Sequence, residues 1–289
     1  MRRFREAGVR PRTQLGQNFL IDMNLQRVLL DTAALTDQDV VLEIGTGTGG
    51  LTALMAQQAA AVVTVEVDRQ LFQLAGEELF ELQNVVMLQA DALRNKNRLD
   101  PDVLEAVYRQ LDAAPGRRFK LVANLPYNVA TPIITNLLAL ERSPQSMTCT
   151  IQKEVAERLV ARPGTKDYGS LAIWVQVQCR AEIVRILAPS VFWPRPKVSS
   201  AFVHIALDGP RREGIPDRGF FHDFVRKMFF HRRKFLRSEL LSAFKQLGKP
   251  EVDRLLAELE LSPTARAEEL GPEQMLRLCD AVRGALGLR

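Results

Sequence analysis

The strongest constraint on the fold is a long alternation of two patterns. Short, mostly apolar runs at residues 40–44, 62–67, 85–89 and 119–123 have the length and composition of buried central strands. Between them lie amphipathic segments of helical period at 51–58, 69–82 and 102–111, the last within a long connection. Strand-like and helix-like segments in this order predict an α/β fold with a doubly wound, mostly parallel sheet. Residues 147–151 form a fifth candidate strand, and 183–187 and 199–207 two late ones. The expectation is a Rossmann-like sheet of about seven strands.

A glycine loop, Glu43-Ile-Gly45-Thr-Gly47-Thr-Gly49-Gly50, joins the first strand to the first helix. Glycine permits a tight turn and close approach of the backbone to a ligand, and the helix start presents free N–H groups. Glu66, about twenty residues on at the end of the second strand, is placed to hold ribose hydroxyls. Loop and carboxylate together suit a nicotinamide dinucleotide and S-adenosyl-L-methionine equally, because both carry an adenosine. Asp91, just after the third strand, adds an acceptor for an adenine amino group; its bland reading is an exposed Asp opening a loop.

The fourth strand runs into Asn124-Leu125-Pro126-Tyr127. An Asn amide oxygen, a backbone carbonyl and a Tyr ring are what is needed to hold an exocyclic amino group and stack on its base. This group has no role in hydride transfer, so it favours S-adenosyl-L-methionine as cofactor and an adenine as target. The adenine N6 lone pair is delocalised into the ring, so positioning and electrostatics matter more than a strong base. With the Asn124 oxygen and the Leu125 carbonyl each accepting one N6 hydrogen, the lone pair is drawn toward the methyl group. Pro126 stiffens the path by fixing φ.

Composition bounds the rest. A chain of 289 residues accommodates one large and one small domain. The segment 208–217 holds two Gly, two Pro and several charges and reads as a linker, dividing a catalytic domain at 1–208 from a helical domain at 209–289. Helical pattern continues at 220–247, 251–259 and 272–286. The net charge of +5 suits a polyanionic partner without requiring one. Cys149, Cys179 and Cys279 are widely spaced, and His204, His222 and His231 show no ligand spacing, so neither a disulfide framework nor a metal is expected. Arg2, Arg3, Arg5, Arg10 and Arg12 make a short basic start, and no apolar stretch has the length of a signal peptide or membrane span. A cytoplasmic monomer is the expectation.

With these motifs in order, the chain resembles the bacterial ribosomal RNA adenine N6,N6-dimethyltransferase family over nearly all its length. Gly16-Gln-Asn-Phe-Leu20 resembles that family's opening motif, and the resemblance implies that Asn18 and Leu20 contact the cofactor alongside Gly45, Gly47, Glu66, Asp91 and Asn124. Residues 152–158, 166–171, 192–198 and 231–234 match further family segments. Thr46, where Pro or Ala is common, His231, where Gln is common, and a longer segment at 94–118 depart from the pattern. The implied activity is S-adenosylmethionine-dependent dimethylation of two adjacent adenosines in the 3′-terminal hairpin of small-subunit ribosomal RNA, on the 30S particle, with a role in its biogenesis. Tyr127 and Phe192 would stack on the target base, although Phe192 beside Trp193 also reads as a core aromatic. Lys153, Arg158, Arg162 and Lys166 are candidates for phosphate contacts near the site, as are Arg226, Arg233 and Arg237 if 220–247 is one continuous helix. The rival readings are a large-subunit adenine methyltransferase conferring macrolide resistance and a non-catalytic assembly or transcription factor on the same fold.

Overall fold

A computed structural model describes residues 11–12 and 15–288; the arginines at 2, 3, 5 and 10 lie outside this range. In chain order the strands are β1 (Phe19–Leu20), β2 (Asp39–Ile44), β3 (Ala61–Glu66), β4 (Val85–Gln89), β5 (Leu93–Asn95), β6 (Arg98–Leu99), β7 (Arg118–Asn124), β8 (Ser146–Gln152), β9 (Cys179–Leu187), β10 (Phe192–Trp193) and β11 (Ser200–Leu207). Seven of them form one sheet in the order β4-β3-β2-β7-β8-β11-β9. Its first five strands are parallel, and β11 returns antiparallel to β8. The seven-stranded Rossmann-like sheet is therefore as expected, with strand ends within a residue or two of the apolar runs for β2, β3, β4, β7 and β8.

This order positions the site. From β2 the chain winds outward through β3 to β4, then crosses back to β7 on the other side of β2. Neighbouring loops at such a reversal leave in opposite directions and open a crevice at the carboxyl ends of the strands. Gly45 follows β2 and Asn124 ends β7, so the glycine loop and the Asn-Leu-Pro-Tyr motif flank that crevice.

One buried charge in the central strands is matched by cations. Asp39 is fully buried at the start of β2 and meets the Arg118 Nε and the Lys120 Nζ, each at 3.0 Å. Removing either cation would leave a buried carboxylate less compensated, which is why the pair is kept. The helix Met23–Ala33, which no expectation covered, covers one sheet face with Leu25, Leu29, Leu30 and Ala33 packed in a cluster with Val41, Val122 and Phe202. Each such fully buried leucine stabilises by roughly 1.5–3 kcal/mol. Asp22 caps this helix, accepting from the Asn24 and Leu25 N–H groups.

Contacts divide the chain into two compact units, one of residues up to 156 plus 182–206, the other of 157–181 plus 207–289. A cut at 208 leaves 157–181 with the sheet, whereas this division groups it with the later helices. Tyr168 shows why: it is 1% exposed, its hydroxyl donates to the Leu270 carbonyl, and its ring meets Phe229 edge-on. The segment 208–217 is likewise no plain linker. Gly209–Glu213 is a short helix capped by Asp208, and buried Arg212 donates to the Gln178 side chain. The helical expectation at 220–247 is corrected as well. Two helices, Arg218–Met228 and Leu236–Ala243, are separated by a turn over 229–235 that carries His231-Arg-Arg-Lys234. Helices Lys249–Glu258 and Pro272–Ala285 complete the unit. No helix among the described residues is long and apolar enough to cross a membrane, and no group of three or more His, Cys, Asp or Glu side chains among them is arranged to hold a metal.

Candidate active site

The crevice is a cleft within the first unit. Gly45 and Gly47 line one side, Glu66 and Asp91 follow along the strand ends, and Asn124, Leu125 and Pro126 close the other. Asn18 and Phe19 line it from the N-terminal segment. Its lining, mainly apolar with a few convergent polar groups, is that of a small-molecule site.

Gly45 and Gly47 are needed for their backbone. Both have positive φ, +89° and +58°, and a Cβ at Gly45 would sit 3.5 Å from the Pro126 ring while one at Gly47 would sit 3.3 Å from the Phe19 ring. The loop is thus pressed against both the catalytic motif and the N-terminal segment, and side chains there would both strain the turn and crowd the cleft.

Behind the loop lies a buried polar chain. Glu43 Oε2 accepts from the Thr52 hydroxyl at 2.5 Å and the Thr64 hydroxyl at 2.6 Å, and Thr64 in turn meets the Thr46 hydroxyl at 2.7 Å. Burial pushes the Glu43 carboxyl up to about 8, against the two threonine bonds that favour its charged form. Glu43 is therefore largely neutral at pH 7. Thr46, the loop position that departs from the family pattern, is tied through this chain to β3 and to the helix Gly50–Ala56.

Glu66 is oriented by backbone. Its Oε2 accepts from the Gly47 N–H at 3.0 Å and its Oε1 from the Asp68 N–H at 2.9 Å. Burial raises its pKa, and these two bonds oppose the shift. A carboxylate has about four lone-pair sites, so these bonds leave acceptor capacity for a ligand hydroxyl. Asp91 is exposed, and its Oδ1 accepts from the Leu93 N–H at 2.9 Å, so Oδ2 is the oxygen left open.

The motif itself is locked. The Asn124 Nδ2 donates to the Asn18 carbonyl at 2.7 Å, and its buried Oδ1 has no partner among the described residues. The Leu125 N–H donates to the Thr150 carbonyl on β8 at 3.2 Å. Gly16, at φ +65°, lets the N-terminal segment pass so close that a Cβ there would lie 2.7 Å from the Asn128 Oδ1 and 3.3 Å from the Tyr127 nitrogen. Tyr127 does not line the cleft; its hydroxyl meets the Ser200 hydroxyl at 2.5 Å, and burial raises its pKa.

Two residues expected at the site lie in the core. Leu20 is 6% exposed and Phe192 3%, and both belong to the apolar cluster beneath the sheet rather than to the cleft lining. Phe192 thus sits as the core aromatic that the sequence also allowed. Trp193, one residue on, stacks on Phe19 at 6.3 Å between centroids.

The basic candidates are spread over both units. Lys153 is half-buried in the first, and Arg158, Arg162 and Lys166 are exposed in the second. Arg226 and Arg233 are exposed but do not share a helix, because the turn at 229–235 intervenes. Arg237 is held by Asp253 in a bidentate pair, its Nε and Nη2 donating to the two carboxylate oxygens at 2.5 and 2.8 Å. The helical spacing once linking these three is therefore not a single face. The residues missed from sequence, Thr52, Thr64 and Ser200, carry one faint signal: Thr64 and Ser200 are polar positions within mainly apolar strands.

Comparison with known proteins identifies the family and the fold. The family model described as ribosomal RNA adenine dimethylase matches residues 8–283. A protein of Caldanaerobacter subterraneus named ribosomal RNA small subunit methyltransferase A is 39% identical over 92% of this chain and 95% of its own. One of the same name from Lactococcus lactis is 36% identical over 93% of this chain and 89% of its own. Among solved structures, a dimethyladenosine transferase from Plasmodium falciparum superposes with a TM-score of 0.73 at 23% identity, covering 90% of this chain and 95% of that one. The 23S rRNA methyltransferase ErmE superposes at 0.61 and 24% identity, covering 91% and 99%. At such identities the two structures speak for the fold alone. On the family model and the curated relatives, the chain belongs to the ribosomal RNA adenine dimethylase family.

Proposed function

We propose that this protein dimethylates the N6 amino groups of two adjacent adenosines in the 3′-terminal hairpin of small-subunit ribosomal RNA, using S-adenosyl-L-methionine. The observation that carries the reading is the state of Asn124, whose amide nitrogen is spent on the Asn18 carbonyl while its buried oxygen stands without a partner at the cleft. An unpaired buried acceptor costs about 1–3 kcal/mol, and an N6–H donor offsets that cost.

The residues present fit the cofactor. Glu66 and Asp91 each keep open carboxylate oxygens along the cleft for hydroxyl and amino donors, and the glycine loop leaves room for an adenosine to lie against backbone. Bound there, S-adenosylmethionine supplies an electrophilic methyl group. Asn124 and the Leu125 carbonyl orient the adenine N6 toward it and stabilise the charge that develops on nitrogen. Pro126 and the bond from the Leu125 N–H to Thr150 keep that path stiff. Tyr127 stacks on the base from the side away from the cleft lining, and Phe192 supports the site from the core instead of touching the base. Asn18 steadies the motif through its carbonyl, whereas Leu20 acts through packing.

The names of the curated relatives favour the small-subunit RNA over the large-subunit rival, and an intact motif argues against a purely structural assembly factor. Lys153, Arg158, Arg162, Lys166, Arg226 and Arg233 provide phosphate contacts, the helical unit serving RNA or particle binding; Arg237 is the weakest of the set because Asp253 already pairs it. The protein works as a monomer in the cytoplasm.

Calorimetric titration of S-adenosylmethionine tests the cofactor half of this reading. Glu66→Gln and Asp91→Ala should each weaken binding by about ten- to a hundredfold, the value of a hydrogen bond to a charged group. Unchanged affinity in both variants would move the cofactor elsewhere.

A further inference from the structure

Ser200 opens β11 and is fully buried, in a strand otherwise composed mainly of apolar residues. A buried hydroxyl without a partner is costly, and this one meets the phenol of Tyr127 at 2.5 Å. The two residues are 73 positions apart, so the contact is made by the fold and not by local chain geometry.

Tyr127 needs such an anchor. Its backbone follows the rigid Pro126 and runs close to Gly16, and it is not among the residues that line the cleft with Asn124, Leu125 and Pro126. Only two side-chain torsions then decide where the ring lies; a bond at the far end of the phenol fixes the first, which sets the ring's axis, and the preference of a phenol O–H for the ring plane biases the second. The anchor is itself fixed, since Ser200 pairs with Gln152 at the head of a seven-residue antiparallel register between β11 and β8. In-line transfer requires the nucleophile to approach opposite the methyl donor, and Tyr127 follows the cleft-lining motif without itself lining the cleft.

We infer that Ser200 is a positioning residue for the methyl transfer, holding the Tyr127 ring in the orientation that receives the target adenine. The inference rests on Tyr127 meeting the target base. It assigns Ser200 no contact with cofactor or RNA. The phenol and serine hydroxyls act as one unit, so removing either end is equivalent to removing both.

The test is a double-mutant cycle on small ribosomal subunits with Ser200→Ala, Tyr127→Phe and the double variant, following kcat and KM for each substrate and mono- and dimethyladenosine by mass spectrometry. Each single variant should lower kcat/KM for the particle by about three- to tenfold, the worth of one hydrogen bond, with KM for S-adenosylmethionine unchanged. The double variant should fall no further than either single one. Losses that multiply in the double variant, or wild-type kinetics in both single variants, would overturn the proposal, as would an equal change in KM for S-adenosylmethionine. Should Ser200→Ala fail to fold, Tyr127→Phe tests the same bond from the exposed end. Tyr127→Ala separates the two layers: wild-type kinetics there would remove the base-stacking assignment itself, whereas an inactive Tyr127→Ala beside a fully active Ser200→Ala would remove only the anchor.

Discussion

A few residues carry this site, and each is constrained by what it touches. Asn124 is a usable acceptor because a backbone carbonyl claims its nitrogen; Glu66 is aimed because two backbone N–H groups hold it. Glu43 is a different kind of residue, a buried carboxyl raised from 4.5 to about 8 by burial. Between those two values the folded protein keeps a proton that the unfolded chain has lost. The contribution of Glu43 to stability is therefore fully present below about pH 4.5 and is lost progressively as pH rises to about 8. Replacing it with Gln, which cannot ionise, should flatten this dependence. Denaturant unfolding of wild type and Glu43→Gln across that range is expected to show wild type losing ground steadily as pH rises; a difference independent of pH would mean that Glu43 is already charged in the fold.

At the scale of elements, much of the architecture could be read from period and punctuation. The parallel strands β2, β3, β4 and β7 are continuous apolar runs, and the glycine loop and the Asn-Leu-Pro-Tyr motif fall at their carboxyl ends, so the cleft was legible before any coordinates. What was not legible depends on partners distant in sequence. Gly209 and Pro210 suggest a linker, but Asp208 caps a short helix there and Arg212 finds Gln178 across 34 positions. Leu20 and Phe192 follow family motifs, yet their apolar bulk is claimed by the core. The apolar period over 220–247 continues through a turn, because Leu236 and Leu240 are buried on either reading. The threonine chain behind the loop is likewise invisible locally. Thr64→Val keeps the shape of the side chain but removes both of its bonds, leaving Thr46 unpaired. It should cost about 1–3 kcal/mol in denaturant unfolding and weaken S-adenosylmethionine binding; a change near zero would show that the loop does not lean on this chain.

Across the whole molecule, the charge surplus is small, so RNA affinity must come from where the cations are placed. Arg158, Arg162 and Lys166 are exposed in the second unit, and the loop bearing the latter two is pinned within that unit, where the Gly164 N–H donates to the Glu268 carbonyl and Arg232 pairs with the Glu268 side chain. Each phosphate contact removed should reduce the slope of log affinity against log salt by about 1. Filter binding to small-subunit RNA over a salt series is expected to show that reduction for Arg162→Ala and Lys166→Ala, and a smaller one for Arg237→Ala, whose guanidinium is shared with Asp253. Equal slopes for all three and wild type would place the RNA on another surface.

The central claim joins one cleft, one locked asparagine and one RNA target. It is tested most directly by transfer of labelled methyl groups from S-adenosylmethionine to unmethylated small ribosomal subunits and, separately, to large-subunit RNA, with nucleoside mass spectrometry and Asn124→Ala as control. The account predicts N6,N6-dimethyladenosine at two adjacent positions of the small-subunit RNA, reduced by about a hundredfold or more in the control, the loss expected when one preorganised partner of the reacting group is removed. Product confined to large-subunit RNA, or tight binding to small subunits without any transfer, would contradict it.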